Sequence, residues 1–322
     1  MTQYLIRRLV AMIPVLLGVT FLSFLIMNFA PGDPTTIYLD PTKPFSQEEI
    51  DMIKKELGLD QPLMVRYIKW LGRTLKGDLG YSYVSRRPVI KEIAERLPNT
   101  ILLAVTTMII SFVVGSLVGV YTVLNQYKLS DYVVTVLAFL GLSTPGFWLA
   151  LMLILVFAGY LKWLPSVGMM SINVGPGFFE RLWDLAKHMI MPVMVSCASG
   201  IASWARYQRS SMLEVIRQDY IRTARAKGLT EKVVIGRHAV RNAAIPVITI
   251  LGMSIPGLIG GSALIEQIFA WPGMGRLGIN AIFSRDYPVI MAVNLMTSIL
   301  VMLGNLTADV LYAVVDPRIR YR

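Results

Sequence analysis

Cysteine is nearly missing from this sequence. The single thiol, Cys197, cannot close an internal disulfide, and it rules out a cysteine-rich zinc or iron–sulfur site. Histidine is almost as scarce. His188 and His238 are the two, and no H-x-x-x-H or H-E-x-x-H spacing exists to hold a metal. They read as polar residues at the boundary of an apolar run and in a polar loop. No glycine is followed by lysine, so the G-x-x-x-x-G-K-[ST] phosphate loop is missing, and the chain cannot hydrolyse ATP in that way. Charge is sparse: 16% of residues, against about 25% in a soluble domain. There is no low-complexity tract and no internal repeat, and the high apolar content excludes disorder.

What the chain has is apolar residue in long runs. They make up 55% of the 322 residues, with a mean hydropathy of +0.58, which argues against a water-soluble enzyme. A spanning helix needs about 20 mostly apolar residues, and six stretches qualify. Leu9 to Phe29 is read as a retained helix, because it exceeds a signal-peptide core and runs into Pro31-Gly32-Asp33-Pro34. Thr100 to Leu124 follows, entered through a cap at Pro98-Asn99-Thr100. Tyr132 to Tyr160 is interrupted at Pro145-Gly146, and His188 to Trp204 carries Pro192. Ile245 to Phe269 is expected to break at Pro256-Gly257, and Val289 to Val315 is the last.

The net charge of +11 would suggest nucleic acid on a soluble protein. Here its distribution gives another reason. With the N-terminus inside, residues 1–8, 125–131, 205–244 and 316–322 carry 15 Lys and Arg, whereas the short outer loops 161–187 and 270–288 carry 5. That bias follows the positive-inside rule. It places both termini in the cytoplasm and removes nucleic acid as a partner.

Residues 30–99 are too polar to span and too patterned to be a linker. Ser46-Gln47-Glu48-Glu49 reads as a capping box before a helix carrying Ile50, Ile53 and Leu57, with Gly58 as its stop. Pro62 can open a second helix, Gly77-Asp78-Leu79-Gly80 reads as a turn, and Pro88 to Leu97 as a third helix. The domains are then an N-terminal transmembrane helix at 1–29, an extracytoplasmic subdomain at 30–99, a five-helix core at 100–315 and a cytoplasmic tail at 316–322.

The long polar loop 205–244 is the most patterned part. Ser211-Met212-Leu213-Glu214 matches a capping box, and Leu213, Ile216, Tyr220 and Ala224 recur at helical spacing, with Arg217, Arg222, Arg225 and Lys227 largely off that stripe. Gly228 can end the helix in a left-handed conformation. Thr230 can cap a second helix through Val233, Val234 and Val240. Two readings fit equally: an amphipathic helix lying on anionic membrane lipid, or a rigid knob that docks a protein.

This loop resembles the cytoplasmic signature of ABC importer permeases, where a Glu-Ala-Ala-like triplet precedes a glycine. Here the triplet is Arg222-Thr223-Ala224, then Arg225-Ala226-Lys227 and Gly228. The string DYIRTARAKG followed by RNAAIPVIT resembles the dipeptide/oligopeptide/nickel branch, with Arg222 in place of the Glu. Arg7-Arg8 with Pro14, PGDP at 31–34, GDLGYS at 77–82, RLPNT at 96–100, STPGFW at 143–148, EQIFAWPGMGRLGINAIFSRDYPVI at 266–290 and DPRIR at 316–320 extend the likeness along nearly the whole chain, nearest to the first (B-type) permease subunit.

The resemblance implies an all-α integral membrane protein of the type I ABC importer permease architecture, with about six transmembrane helices and a small helical extracytoplasmic insertion between the first two. It implies a second, similar permease, two ABC ATPase subunits that use ATP and Mg, an extracytoplasmic substrate-binding protein, and a bacterial or archaeal cell membrane. It implies no cofactor, metal or catalytic residue on this chain, and a peptide as substrate, with nickel, opine or sugar as alternatives. It makes Leu213, Glu214, Tyr220, Arg222, Thr223, Ala224, Arg225, Lys227 and Gly228 the loop that couples to the ATPases.

Broken helices in a membrane belong where protein or water satisfies the freed backbone. Ser143, Thr144, Pro145 and Pro256 are therefore the candidates for the translocation path. Glu266 and Asp309 are ionisable residues inside spans, read as assembly contacts or path residues. Ser196, Ser199, Gly200 and Ser203, like Gly260-Gly261, read as close helix packing. The eighteen methionines read mostly as adaptable apolar filling. The rival is a self-sufficient secondary transporter or channel, which would show paired broken helices in an inverted repeat; no such symmetry is visible.

Overall fold

A computed structural model describes residues 2–29, 47–56, 58–259 and 263–315. The expected features at Pro31–Pro34, Ser46, Gly260-Gly261 and 316–320 lie outside the described residues. The helices are α1 (Thr2–Phe29), α2 (Gln47–Glu56), α3 (Leu63–Thr74), α4 (Val89–Leu124), α5 (Leu129–Ser143), α6 (Gly146–Leu153), α7 (Phe178–Ile216), α8 (Asp219–Ala226), α9 (Glu231–Val233), α10 (Arg241–Ile259), α11 (Ala263–Ile268), α12 (Met274–Phe283) and α13 (Tyr287–Val315). Wide π-helical turns at Ile154–Tyr160 and Val234–Val240 continue α6 and join α9 to α10. Five helical stretches are long and apolar enough to span: Ile6–Phe29, Val89–Leu124, Phe178–Ile216, Glu231–Ser254 and Tyr287–Asp309. The pair α5 and α6, bent by 104° at Thr144-Pro145, supplies a sixth, broken one.

Several expected boundaries move. Pro98 does not open a span; it sits inside one continuous α4. Proline removes one backbone hydrogen bond there, but Asn99 Nδ2 donates to the Glu95 carbonyl at 3.3 Å and to the Pro272 carbonyl at 2.9 Å, and Ile93 and Leu103 are buried on either side of the proline. The fourth span is not short: α7 has 39 residues with Pro192 inside. It takes in the ends of both flanking loops, and His188 is buried within it instead of marking a boundary. Its Nδ1 lies 2.8 Å from the Asp184 carbonyl. The break at Pro256-Gly257 is also absent, since the α10 backbone is helical to Ile259.

The chain divides into two compact units. The first comprises Met1–Thr100 and Pro272–Met302. In it Leu79, Val89 and Ile93 pack with Met274, Leu277, Ala281, Val289 and Ala292. A second cluster joins α1, α3 and α13 through Phe24, Met27, Tyr67 and Met291. Tyr67 fixes it: its ring lies 5.2 Å from Phe21 and 5.5 Å from Phe24, and its hydroxyl lies 3.0 Å from Thr20 Oγ1.

The second unit comprises Ile101–Trp271 and Leu303–Arg322. Helix α7 is its centre and packs on α5, α6, α10 and α11. It also meets α4 along a seam of small residues. A Cβ built on Gly115 would lie 2.6 Å from Trp204 Cβ, one on Gly119 2.6 Å from the Ala205 carbonyl oxygen, and one on Gly200 2.8 Å from Ser111 Oγ. Gly115 and Gly119 stand four apart on one face, the spacing that lets membrane helices approach closely. Gly200 therefore packs against a helix, while the matching glycines on α4 escaped the sequence reading.

Candidate functional site

The polar loop is built on the second unit. Helix α7 ends at Ile216, and Arg217 caps it. Gln218 is extended (φ −73°, ψ 149°) and α8 restarts at Asp219. This restart resets the helical register and overturns two expectations. Ser211-Met212-Leu213-Glu214 is no cap, because it lies inside α7, and Ser211 Oγ donates instead to the Ala243 carbonyl at 2.8 Å. The stripe Leu213–Ile216–Tyr220–Ala224 is not continuous either. Tyr220 is exposed, and Ile221 takes its place in the core with Ala224, Val123, Met212, Val234, Ala239 and Ala243.

Gly228 follows α8 with φ +77°, the left-handed region where glycine carries no Cβ penalty. Its amide donates to the Arg225 carbonyl at 2.9 Å, and the Leu229 amide to Ala224 at 3.4 Å. Thr230 occupies the cap position of α9 in an extended conformation but makes no side-chain capping bond. The Val233 and Val234 amides instead reach its carbonyl at 2.9 and 3.0 Å. From Glu231 the backbone stays helical through the π turn to Ile259.

The knob's outer face is polar. Glu214, Tyr220, Arg222, Thr223, Arg225, Lys227 and Gly228 are exposed, whereas Ala224 is buried and Leu213 half-buried against the core. Arg225 Nε donates to Glu231 at 2.8 Å, tying α8 to α9 across the glycine. Arg222 reaches Asp219 at 3.4 Å, and Thr223 Oγ1 donates to the Asp219 carbonyl at 2.9 Å. At the root of the knob Arg209 forms a bidentate pair with the buried Asp131 of α5. Asp131 also accepts the amide of Tyr127 at 3.3 Å, a non-glycine residue at φ +67°. Sequence reasoning missed this pair. Two lone charges flanking apolar runs were the available signal.

The other candidates lie apart from the knob. Ser143 ends α5, Thr144 is the extended joint and Pro145 caps α6, so the three form one bend. Thr144 Oγ1 donates to the Leu140 carbonyl at 2.7 Å, and Ser143 is exposed. Pro256 is not at a break but within the helical backbone of α10. Glu266 is buried in the short helix α11, not at the end of a long span, and Asp309 is half-buried in α13.

The first unit contains carboxylates that sequence reasoning passed over. Asp286 is 3% exposed; it accepts the Ser82 hydroxyl and the amide of Tyr83 at 3.1 Å. Glu92, also buried, accepts the Ser85 hydroxyl and pairs with Arg96 at 3.4 Å.

Long apolar helices with one broken span and an exposed, glycine-jointed polar knob fit a membrane transport subunit. The comparisons agree. The family described as binding-protein-dependent transport system inner membrane component matches residues 112–321, and its N-terminal counterpart matches residues 1–104. The chain belongs to this family and is a multi-pass membrane permease subunit of an ABC importer.

Among its relatives, the oligopeptide transport system permease protein AppB of Bacillus subtilis (strain 168) is 46% identical over 322 residues, covering 100% of both chains. The glutathione transport system permease protein GsiC of Escherichia coli O6:H1 is 40% identical over 322 residues, again covering 100% of both. The inward-facing MetNI methionine ABC transporter shares the fold at 18% identity with a TM-score of 0.55, over 71% of this chain and 99% of that one.

Proposed function

We propose that this chain is one of two permease subunits of an ATP-driven importer of peptides. The observation that carries this reading is the exposed knob at α8, Gly228 and α9, whose backbone runs without a break into the apolar helix α10. A second permease, a paralogue of this chain, would complete the path. Two separate ATPase subunits, holding the ATP and Mg, would dock on Glu214, Tyr220, Arg222, Thr223, Arg225, Lys227 and Gly228. An extracytoplasmic binding protein would deliver cargo to the side of residues 30–99. The chain itself carries no ATPase chemistry. Both termini and the knob face the cytoplasm, which is the side the Lys and Arg bias favours. The relatives' names for oligopeptide and glutathione permeases support a peptide cargo. The bend at Ser143, Thr144 and Pro145 lines the path, together with the α10 segment around Pro256, while Glu266 and Asp309 serve assembly.

The test is purification of the tagged full chain from its own membrane, followed by reconstitution. A second permease and a P-loop ATPase are expected to come with it, and the complex is expected to hydrolyse ATP faster when a peptide-loaded binding protein is added. Peptide uptake by a lone homo-oligomer without ATP would overturn the reading. Cysteines placed at Thr230 and Lys76 should be labelled by an impermeant reagent from the inside and the outside, respectively; the reverse pattern would overturn the orientation.

A further inference from the structure

The first unit contains a cavity of about 550 Å³, within the range of small-ligand sites. Its position is set by two spans. Phe24 and Met27, near the end of α1, and Tyr287 and Met291, at the start of α13, form its apolar side. The described helix of the first span reaches Phe29 and that of the last begins at Tyr287, which sets the cavity beside span ends, the level at which helices leave hydrocarbon for water.

Its other side is basic. Arg66, Lys69 and Arg73 stand at i, i+3 and i+7 on α3, and so share one face of that helix; Trp70 lies among them. Arg86 joins them from the turn before α4, held at φ +57°, a conformation that non-glycine residues seldom adopt. Among the described residues lining the cavity Asp78 is the single acid, and its carboxylate already accepts the Gly80 amide at 2.9 Å. Lys69 Nζ donates to Gln61 Oε1 at 2.7 Å, and Arg66 lies 5.7 Å from the Phe24 ring centroid within the field of the Asp60 carboxylate. Burial pulls the Arg66 guanidinium below its usual range.

Cations gathered on one helix face beside an apolar wall draw an anion, and a guanidinium can hold two of a phosphate's oxygens at once. Aromatic rings at the rim suit the headgroup level of a bilayer. We propose that this cavity binds a phosphate group carried by an anionic phospholipid of the leaflet at which α1 ends. A free phosphate shares the chemistry, but an apolar side made by two membrane helices favours a phosphate that comes with an acyl chain. The proposal does not depend on the identity of the transported cargo.

The test uses the full complex in detergent, with native mass spectrometry after addition of phosphatidylglycerol or phosphatidylcholine. Lys69 and Arg73 are exposed, so Lys69→Glu with Arg73→Glu leaves the core packing alone. Lys76→Glu, on an exposed residue outside the cavity, controls for general charge. Phosphatidylglycerol is expected to be retained in preference to phosphatidylcholine. The double variant should weaken that retention by about tenfold or more, the scale of losing charge-assisted contacts, while Lys76→Glu keeps it. Millimolar inorganic phosphate should not displace the lipid. Equal retention of both lipids, equal loss in the Lys76→Glu control, or displacement by inorganic phosphate would overturn the proposal.

Discussion

The hydroxyl of Ser82 donates to the carboxylate of Asp286, a residue 204 positions further along the chain. The bond closes the first unit between the turn before α4 and the start of α13. Asp286 also takes the amides of Tyr83 and Val84, so one buried carboxylate holds a whole turn. Asp286→Ala leaves those donors without their acceptor and is expected to cost about 3 kcal/mol, more than Ser82→Ala at about 1.5 kcal/mol. Thermal unfolding in detergent measures both. If the two losses are equal, or the double variant is simply additive, the carboxylate is not the organising group.

Asp131 and Arg209 make the corresponding link in the second unit. The Asp131 side chain is 6% exposed and that of Arg209 29%. Arg209→Ala would strand a buried carboxylate, with an expected loss of about 3 kcal/mol, and the turn at Tyr127 would lose its anchor. Asp131→Asn with Arg209→Gln should recover part of the loss, because a neutral pair can still hydrogen-bond. Proteolytic cleavage near Tyr127 in inside-out vesicles is the readout; no recovery in the double variant would show that charge, not bonding, is required.

The seam between α4 and α7 gives a graded expectation. An added methyl at Gly119 would meet the Ala205 carbonyl oxygen at 2.6 Å and Gln208 Cβ at 2.7 Å. Backbone cannot yield as a side-chain tip can, so Gly119→Ala should cost about 2 kcal/mol, as overpacking does. Gly18→Ala is the control, since nothing lies within 4 Å of its added Cβ. Fluorescence-detected size exclusion on detergent extracts reports the folded fraction. Equal yields of the two variants would remove the seam.

Gly228 separates geometry from packing. Nothing lies within 4 Å of a Cβ built there, so a side chain meets no steric obstacle and the whole cost is backbone strain. Gly228→Ala should cost about 1 kcal/mol, and Gly228→Val more, since β-branched residues are outliers at positive φ. Abundance should stay near normal while binding-protein-stimulated ATPase activity falls, further in the valine variant. Full coupling in Gly228→Val would mean that the angle between α8 and α9 is irrelevant to transport.

Much of the helical plan was legible in the sequence, because a run of about 20 apolar residues is a local signal. The glycine at 228 was legible for the same reason. Helix ends were less so: Pro98 and Pro192 lie inside helices, since packing outweighs one missing backbone bond. The motif at Ser211 was a false cap for the same cause, because tertiary contact gave its hydroxyl another acceptor. The lone charges Asp131 and Arg209 were visible beside apolar runs, but which residues pair was not: separations of 78 for Asp131 with Arg209 and 204 for Ser82 with Asp286 leave no partner in local pattern.

The unbroken helical backbone from Glu231 to Ile259 has a mechanical meaning. At 1.5 Å per residue such a rod is about 40 Å long, and a tilt of about 10° at one end carries the other by roughly 7 Å. The π turn at Val234–Val240 and Pro246 are the places along it where such a rod bends. If the knob is driven as proposed, this helix carries the stroke toward the far side of the bilayer, less whatever bending the π turn absorbs.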